Sequence, residues 1–508
     1  MSGTLLLRYG GNLLELSSGG TSIPRDLYAA ATAELQYDHV THLRGQDVWH
    51  DPVTGEEVKV KVDRKVLYRI DDRGRFIASL GWKNPLLRMA ENLGYRVDVQ
   101  CVDPPHPRPN RYETDWVNMF RYLDLRVKQD EILAAIDSVD HGILDVVAGV
   151  GKTFLLAAYC LAHPRARVHV VTEGIDIINR IHRHLSAYLP NVGMVGGGHC
   201  EFGQVTVISA DSLHKVAEGF DDPHSPRSTD VVFFDEVHKA ATPSYLNELI
   251  KYRRCRMYGM SANVDDRADN ADKQLRSLFG EVIYTLEYPE AERLGLVCPV
   301  RVEWVNIERS THPLNNLSDT AFEKWAIWNN QHRNSEFARV MQTFDDQVQC
   351  LVMVSKVEHA VRLKQFLPEY KLCYGSEAKD YKKYINSGEL DSRDEPPMTP
   401  ARRAQMREAF ERGDLKKVIA TDVWSTGVDF APLSILGRAD GRDSRIMDTQ
   451  IPCRANRIFE GKSYATIIDC MDNFDPGPKR KSQNRRRAYL KMGWTQHGAT
   501  GRRRGGAP

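Results

Sequence analysis

The sequence predicts an α/β chain of two tandem lobes, each a parallel sheet with helices on both faces, preceded by a small α+β domain. Three observations predict it. Short apolar runs alternate with helical patterns from about residue 112, the alternation restarts near Gln349, and a proline-rich stretch separates both from a differently patterned N-terminal segment. Strands that alternate with helices form parallel sheets whose helices cover the two faces.

Each part follows in order. Residues 1–103 read as the small N-terminal domain. Val58–Val62 and Lys65–Ile70 have strand patterns, Asp71–Arg75 is a turn leading to Phe76–Ala78, and Asn84–Leu93 has helical spacing ended by Gly94. Residues 104–111 hold four prolines and read as a stiff, extended linker. Residues 112–308 form the first lobe, with strands at Ile143–Val147, Val168–Val171, Val205–Ser209, Val231–Phe234 and Met257–Met260. Residues 309–475 form the second, with strands at Cys350–Val354, Lys371–Tyr374, Val418–Thr421 and Ala465–Asp469. Its segment Glu389–Pro400 reads as a polar inserted loop, and residues 476–508 as a basic tail with one helix near Arg485–Met492.

Charge and composition narrow the partners. The chain carries 69 Lys and Arg against 68 Asp and Glu, so the total is nearly balanced. Ten of the basic residues lie in 478–508, which has no acidic residue, leaving 59 against 68, or −9, elsewhere. A basic tail on a mildly acidic body reads either as a polyanion contact or as a solvated tail. The nine scattered cysteines form no C-x-x-C pair, which fits reduced thiols in the cytoplasm better than a disulfide frame or a zinc site. No apolar window is long enough to cross a membrane, and Arg8 interrupts the N-terminal apolar stretch, which argues against a signal peptide and a membrane partner.

The chemistry concentrates at a few places. Ala148-Gly149-Val150-Gly151-Lys152-Thr153 joins a strand to a helix. Glycines let backbone N–H groups approach a phosphate chain, Lys152 reaches its terminal phosphates, and Thr153 holds Mg2+. The strict pattern lacks its first glycine, since Val146 stands there. Val231–Phe234 then runs into Asp235-Glu236-Val237-His238. Carboxylates at the end of an apolar strand stand where ligands bind in such sheets. Asp235 would hold the magnesium of ATP, and Glu236 would orient and deprotonate the attacking water.

These motifs resemble those of superfamily 2 helicases of the DEAD/DEAH-like type, and the resemblance implies two RecA-like lobes with ATP and Mg2+ as cofactors. Ser261-Ala262-Asn263 stands where that family has Ser-Ala-Thr, the element that couples ATP state to the track, together with His238 of the D-E-x-H box. Gln129 is similar to the adenine-reading glutamine, though an ordinary helix residue is the alternative. Ala420–Asp429 resembles the fifth motif, which implies that Gly427 and Asp429 help to bind the nucleotide. Gln450-x-x-Cys453-Arg454-x-x-Arg457 resembles the sixth, whose arginines Arg454 and Arg457 stabilise the transition state from the opposite lobe. Cys453 replaces the family's usual glycine and puts the local backbone in question.

Leu278–Val282 and Gly295–Pro299 narrow the resemblance to the branch-migration and fork-remodelling group, which includes RecG-like and XPB-like enzymes and the UvsW-like phage recombination helicases. Lys65–Val97 and Pro478–Gly493 extend it toward both ends. The implied activity is an ATP-dependent DNA helicase or translocase. It would act on branched or forked DNA without sequence preference, in recombination, replication and repair, alongside single-strand-binding or recombination proteins and in the host cytoplasm if phage-encoded. Three alternatives stay open: an RNA or RNA–DNA hybrid helicase, the motor subunit of a restriction complex, and an ATP-gated binding or annealing protein. No nuclease motif is found in the N-terminal segment or the tail. Trp325 and Trp328, between the lobes, have two readings, base stacking and core packing, the second favoured.

Overall fold

A computed structural model describes residues 4–41, 47–50, 57–103, 114–216, 222, 224–252, 255–262, 271–375, 378–424, 430–443 and 452–498. The chain divides into two compact units, Met1–Val147 with Gly151–Leu286, and Ala148–Val150 with Glu287–Pro508. The proline-rich stretch 104–110 lies outside the described residues, as do Asn263, Gly427, Asp429 and Gln450.

The N-terminal part of the first unit is a five-stranded sheet in the order Tyr68–Ile70, Phe76–Ser79, Leu13–Ser17, Thr4–Gly10, Arg96–Asp103. Helices Arg25–Glu34 and Lys83–Asn92 supply Leu27 and Leu86 to a core shared with Leu5, Leu7, Leu16 and Phe76. The turn at Asp71 forms because its carboxylate accepts the N–H groups of Arg73 and Arg75 at 3.0 and 2.8 Å, with Gly74 at φ 78°. Strand Glu57–Val66 is one ten-residue element rather than the end of one strand and the start of another. It pairs antiparallel with Gln36–Thr41 and Asp47–His50.

This part is joined to the rest of its unit through helix Asp272–Phe279. Trp82 Nε1 donates to Ser277 Oγ at 2.7 Å in a buried contact, Tyr37 Oη lies 3.0 Å from Gln274 Oε1, and Lys273 Nζ donates to the carbonyl of Glu34 at 2.8 Å. Gly81 sits so close that an added Cβ would lie 2.0 Å from the Arg276 carbonyl oxygen. Only a residue without a side chain permits that approach.

The main sheet of the first unit has eight strands in the order His199–Glu201, Val192–Gly196, Val205–Ser209, Val168–Thr172, Val231–Asp235, Arg256–Ser261, His141–Val146, Val282–Leu286. All pairs are parallel except the outermost, His199–Glu201 with Val192–Gly196. Strands buried on both faces read as unbroken apolar runs, which is why Val231–Phe234 was legible. Val192–Gly196, with glycine at two of its five positions, was not.

The second unit holds a fully parallel seven-stranded sheet in the order Lys371–Cys373, Lys417–Ala420, Cys350–Met353, Ile435–Arg438, Ala465–Asp472, Val300–Ile307, Thr495–Gly498. Two expectations are corrected here. Val300–Ile307, placed in the first lobe by a boundary at 308, pairs residue for residue with Ala465–Asp472. The boundary followed the restart of the local alternation, and strand pairing is not local. The supposed tail is also folded through residue 498. Pro476–Lys491 is a helix whose Pro478, Ser482, Arg485 and Tyr489 form a buried face, and Thr495–Gly498 edges the sheet. A three-to-four residue spacing buries one face whatever the mean composition. Here part of that face is an arginine whose charge is matched, since Arg485 lies 2.9 Å from Asp469 and both are fully buried.

The segment 389–400 is anchored rather than merely solvated. Leu390 and Met398 are buried, and Glu395 accepts the Leu372 N–H and pairs with Lys364 at 3.1 Å. Trp328 is buried with Ala326 and Ile327 in a π-helical turn, Lys324–Trp328. The Trp325 ring stacks on His312 at 4.3 Å. Packing therefore accounts for both tryptophans. No helix among the described residues is long and apolar enough to cross a membrane.

Candidate nucleotide site

Three adjacent parallel strands of the first unit, Val231–Asp235, Arg256–Ser261 and His141–Val146, end at one edge of the sheet. Register pairs Asp235 with Met260 and Ser261 with Asp145, so three acidic or hydroxyl side chains and the start of the glycine loop share that edge.

The loop reaches helix Lys152–Ala162 through Gly149 at φ 115° and Gly151 at φ 90°. Residues with a Cβ are strained there. Gly151 is the N-cap, so Lys152 and Thr153 open the helix, where backbone N–H groups lack partners within it. Gln129 is buried beside this loop. A Cβ on Gly151 would lie 3.0 Å from its Nε2, and its Oε1 accepts the N–H of Arg126 at 2.8 Å.

Lys152 Nζ stands 3.6 Å from Glu236 Oε1. Glu236 takes φ 57°, rare for a residue with a side chain, and backbone strain of this kind concentrates at functional positions. Asp235 is buried, and burial raises its carboxyl above the usual range, opposed by Lys152 and reinforced by Glu236. Its Oδ1 has no hydrogen-bond partner among the described residues. A buried acceptor left unmatched is costly unless a ligand supplies the partner. His238 Nδ1 lies 3.4 Å from Glu236 Oε2 and 3.0 Å from Ser261 Oγ. The structure thus brings Gln129, Gly151, Lys152, Thr153, Asp235, Glu236, His238, Ser261 and Ala262 to one sheet edge.

Ala148, Gly149 and Val150 pack with the second unit. The carbonyl of Ala148 accepts Asn456 Nδ2 at 3.2 Å, and a Cβ on Gly149 would lie 3.0 Å from Val297 Cγ1 and 3.7 Å from Arg457 Nη1. Arg454 ends a 3-10 turn, Pro452–Arg454, and Arg457 follows one residue after the buried Asn456. Cys453 is buried and is not among the residues with positive φ, so glycine is not required there and the departure from the family pattern leaves the turn intact.

Two residues were missed from the sequence. Asn456 lies between the arginines, and its backbone carbonyl accepts the N–H of Cys298 at 2.6 Å. Lys462 donates to the carbonyls of Ala455, Arg457 and Ala431 at 2.6, 3.0 and 3.3 Å. The only signal for either was proximity to the arginine motif.

Residues 122–266 match the family model described as type III restriction enzyme, res subunit. The DNA 3'-5' translocase XPB2 of Sulfurisphaera tokodaii is 26% identical over 163 residues, 32% of this chain and 36% of that protein. A protein of Schizosaccharomyces pombe named as a mitochondrial ATP-dependent helicase, irc3, is 21% identical over 69% of this chain and 58% of its own length. The matches thus span about a third and somewhat over half of these curated relatives. The structure of Saccharomyces cerevisiae Dbp5 bound to RNA and ADP BeF3 aligns with 75% of this chain and 92% of its own at TM-score 0.51 and 11% identity. The crystal structure of T4 UvsW aligns with 98% of this chain and 99% of its own at TM-score 0.42 and 14% identity. Over residues 122–266 the chain is thus similar to the res subunit of type III restriction enzymes, and its α/β fold of parallel sheets and helices is similar to that of Dbp5.

Proposed function

We propose that this chain is an ATP-driven DNA motor of the superfamily 2 type that remodels branched DNA. One observation carries the reading. A glycine loop in the conformation a phosphate chain needs runs into Lys152, which stands beside the strand-end carboxylates Asp235 and Glu236.

Glu236 takes a proton from water, the water oxygen bonds to the γ-phosphorus of ATP, and the bond to the ADP oxygen breaks. Lys152 and the loop N–H groups hold the phosphates, and Gln129 reads adenine. The buried, unpartnered Asp235 Oδ1 and the Thr153 hydroxyl at the helix start suit a hard divalent cation. Magnesium, when bound, neutralises charge on the phosphate oxygens. Arg454 and Arg457 stabilise the charge that spreads over those oxygens in the transition state. Gly427 and Asp429 of the fifth motif help to bind the nucleotide, and Asn263 and Gln450 join His238, Ser261 and Ala262 in coupling nucleotide to track.

The motor grips phosphates, which carry no sequence information, so it prefers DNA structure over DNA sequence. Opening duplex costs roughly 1.4 kcal/mol per base step, and fork regression or branch migration regains each pair it breaks. On this reading the protein works in the cytoplasm, in recombination and repair. The description of the matching family model favours one second reading, the motor subunit of a restriction complex.

The test compares ATPase and strand displacement on forks, four-way junctions, RNA–DNA hybrid, duplex RNA and linear duplex, for wild type and Glu236→Gln. The DNA-remodelling reading expects the highest turnover on branched DNA, with both activities lost in Glu236→Gln. Strand displacement that survives Glu236→Gln would make the protein a passive binder. Preference for hybrid or RNA would move the track. Turnover on linear duplex equal to that on junctions would favour the restriction motor.

A further inference from the structure

We infer that Lys462 is a positioning residue for Arg457, fixing the backbone from which that guanidinium reaches the nucleotide. The inference rests on the reading of Arg454 and Arg457 given above.

The arginines stand on a stretch with little regular structure of its own. After the 3-10 turn Pro452–Arg454 the chain has neither helix nor strand until Ala465. Beyond Arg457 the stretch cannot be held by packing, because Ile458 and Phe459 are 54% and 45% exposed and Glu460 and Gly461 are exposed as well. The chain then reverses. Gly461 takes φ 78°, and the Lys462 N–H donates to the Phe459 carbonyl at 3.0 Å. This turn sends the Lys462 side chain back under the segment it has just left.

There the ammonium meets three carbonyls, those of Ala455 at 2.6 Å, Arg457 at 3.0 Å and Ala431 at 3.3 Å. An ammonium has three N–H donors and no acceptor, so it suits three converging carbonyls. Bonds from a charged donor are stronger than neutral ones. Two of the carbonyls bracket Asn456, and one of these belongs to Arg457 itself. The third lies two residues beyond Asp429, so one cation ties the backbone of the sixth motif to the segment that follows the fifth. Asn456 fastens the same turn from within, through its backbone bond to Cys298 and its Nδ2 bond to the Ala148 carbonyl. An arginine displaced by about 1 Å from its working position loses a large share of its effect on rate.

The experiment measures nucleic-acid-stimulated ATPase of the full chain as Lys462→Met, Lys462→Arg and Lys462→Gln. Lys462→Met is expected to lower kcat by roughly 10- to 100-fold while KM for ATP stays within about threefold. Its affinity for ADP with aluminium fluoride, which mimics the transferred phosphoryl group, should fall in parallel, with affinity for ADP alone and Tm unchanged. Lys462→Arg, whose guanidinium can still donate to two carbonyls, should recover part of kcat. Lys462→Gln takes the place of Lys462→Met if the latter does not fold. A wild-type kcat in Met and Gln overturns the inference, and so does a joint loss of kcat, ADP binding and Tm, which would mark a merely structural role. Arg457→Ala separates the two levels. If Arg457→Ala hydrolyses ATP normally, the arginine reading itself fails, and if it is inactive while Lys462→Met is normal, only the positioning role does.

Discussion

His238 Nδ1 lies 3.0 Å from Ser261 Oγ, and both side chains are buried. The same imidazole stands 3.4 Å from Glu236 Oε2, so one ring joins the proposed general base to the strand end that leads into Ala262 and Asn263. Ser261→Ala removes the hydroxyl partner and leaves the protein packed. ATPase should stay within a few-fold of wild type, and base pairs opened per ATP should fall by about tenfold, the size of one lost hydrogen bond to a buried partner. A mutant with a normal ratio of unwinding to hydrolysis would disconnect this pair from coupling.

Lys152 opposes the burial of Asp235 and lies 3.6 Å from Glu236, so its removal strips a cation from beside both carboxylates. Lys152→Ala should lower ATPase by about 10²- to 10³-fold, the usual effect of losing one fixed electrostatic contact to a transition state. DNA binding without nucleotide should be unchanged. A fully active Lys152→Ala protein would refute the site.

Neighbouring arginines in helix Pro476–Lys491 should behave differently. Arg485 is buried against Asp469, whereas Arg486 and Arg487 are exposed. Arg485→Ala leaves Asp469 buried without its guanidinium and should cost about 3–5 kcal/mol in urea unfolding. The double substitution Arg486→Gln and Arg487→Gln should spare stability and reduce the slope of log affinity for DNA against log salt by about 2. An unchanged slope would assign the exposed arginines to solvation. Deleting 478–508 outright would not make this distinction, because it removes Arg485 as well.

His359 is fully buried in the second unit, and burial, with repulsion from Arg333, lowers its pKa from 6.5 to about 3. Asn334 Nδ2 donates to the Trp328 carbonyl, so Asn334 Oδ1 is the acceptor for His359 Nε2–H at 3.1 Å, and His359 Nδ1 has no partner among the described residues. The depressed value means that the unfolded chain takes up the proton first as pH falls. The contribution is therefore complete above about pH 6.5 and is lost on acidification, by about 1.4 kcal/mol per pH unit. Between pH 7 and pH 5, His359→Gln should lose about 2 kcal/mol less stability than wild type in urea titrations. Equal losses in the two proteins would show that His359 does not stay neutral in the fold.

The candidate site was legible where its chemistry is local. Glycines at 149 and 151, a lysine after them and an apolar run closing on Asp235 and Glu236 form short patterns, because a phosphate cradle needs particular backbone angles and a buried strand needs an unbroken apolar stretch. The corrected expectations share the opposite property. Arg485 counted as one of ten basic residues in a tail, and only Asp469, brought up by the neighbouring strand, makes it a core residue.

The sequence by itself determined the α/β class, the glycine loop between strand and helix and the paired carboxylates at a strand end, since each is decided by residues within a few positions of one another. Tertiary structure alone decided that Val300–Ile307 joins the second sheet, that Trp82 and Gly81 seat the N-terminal sheet on helix Asp272–Phe279, and that Lys462 turns back under Arg457. The reason is physical. A strand's partner, a buried ion's counter-charge and a carbonyl's donor are set by which distant segments fold against each other, and neither periodicity nor composition records that choice.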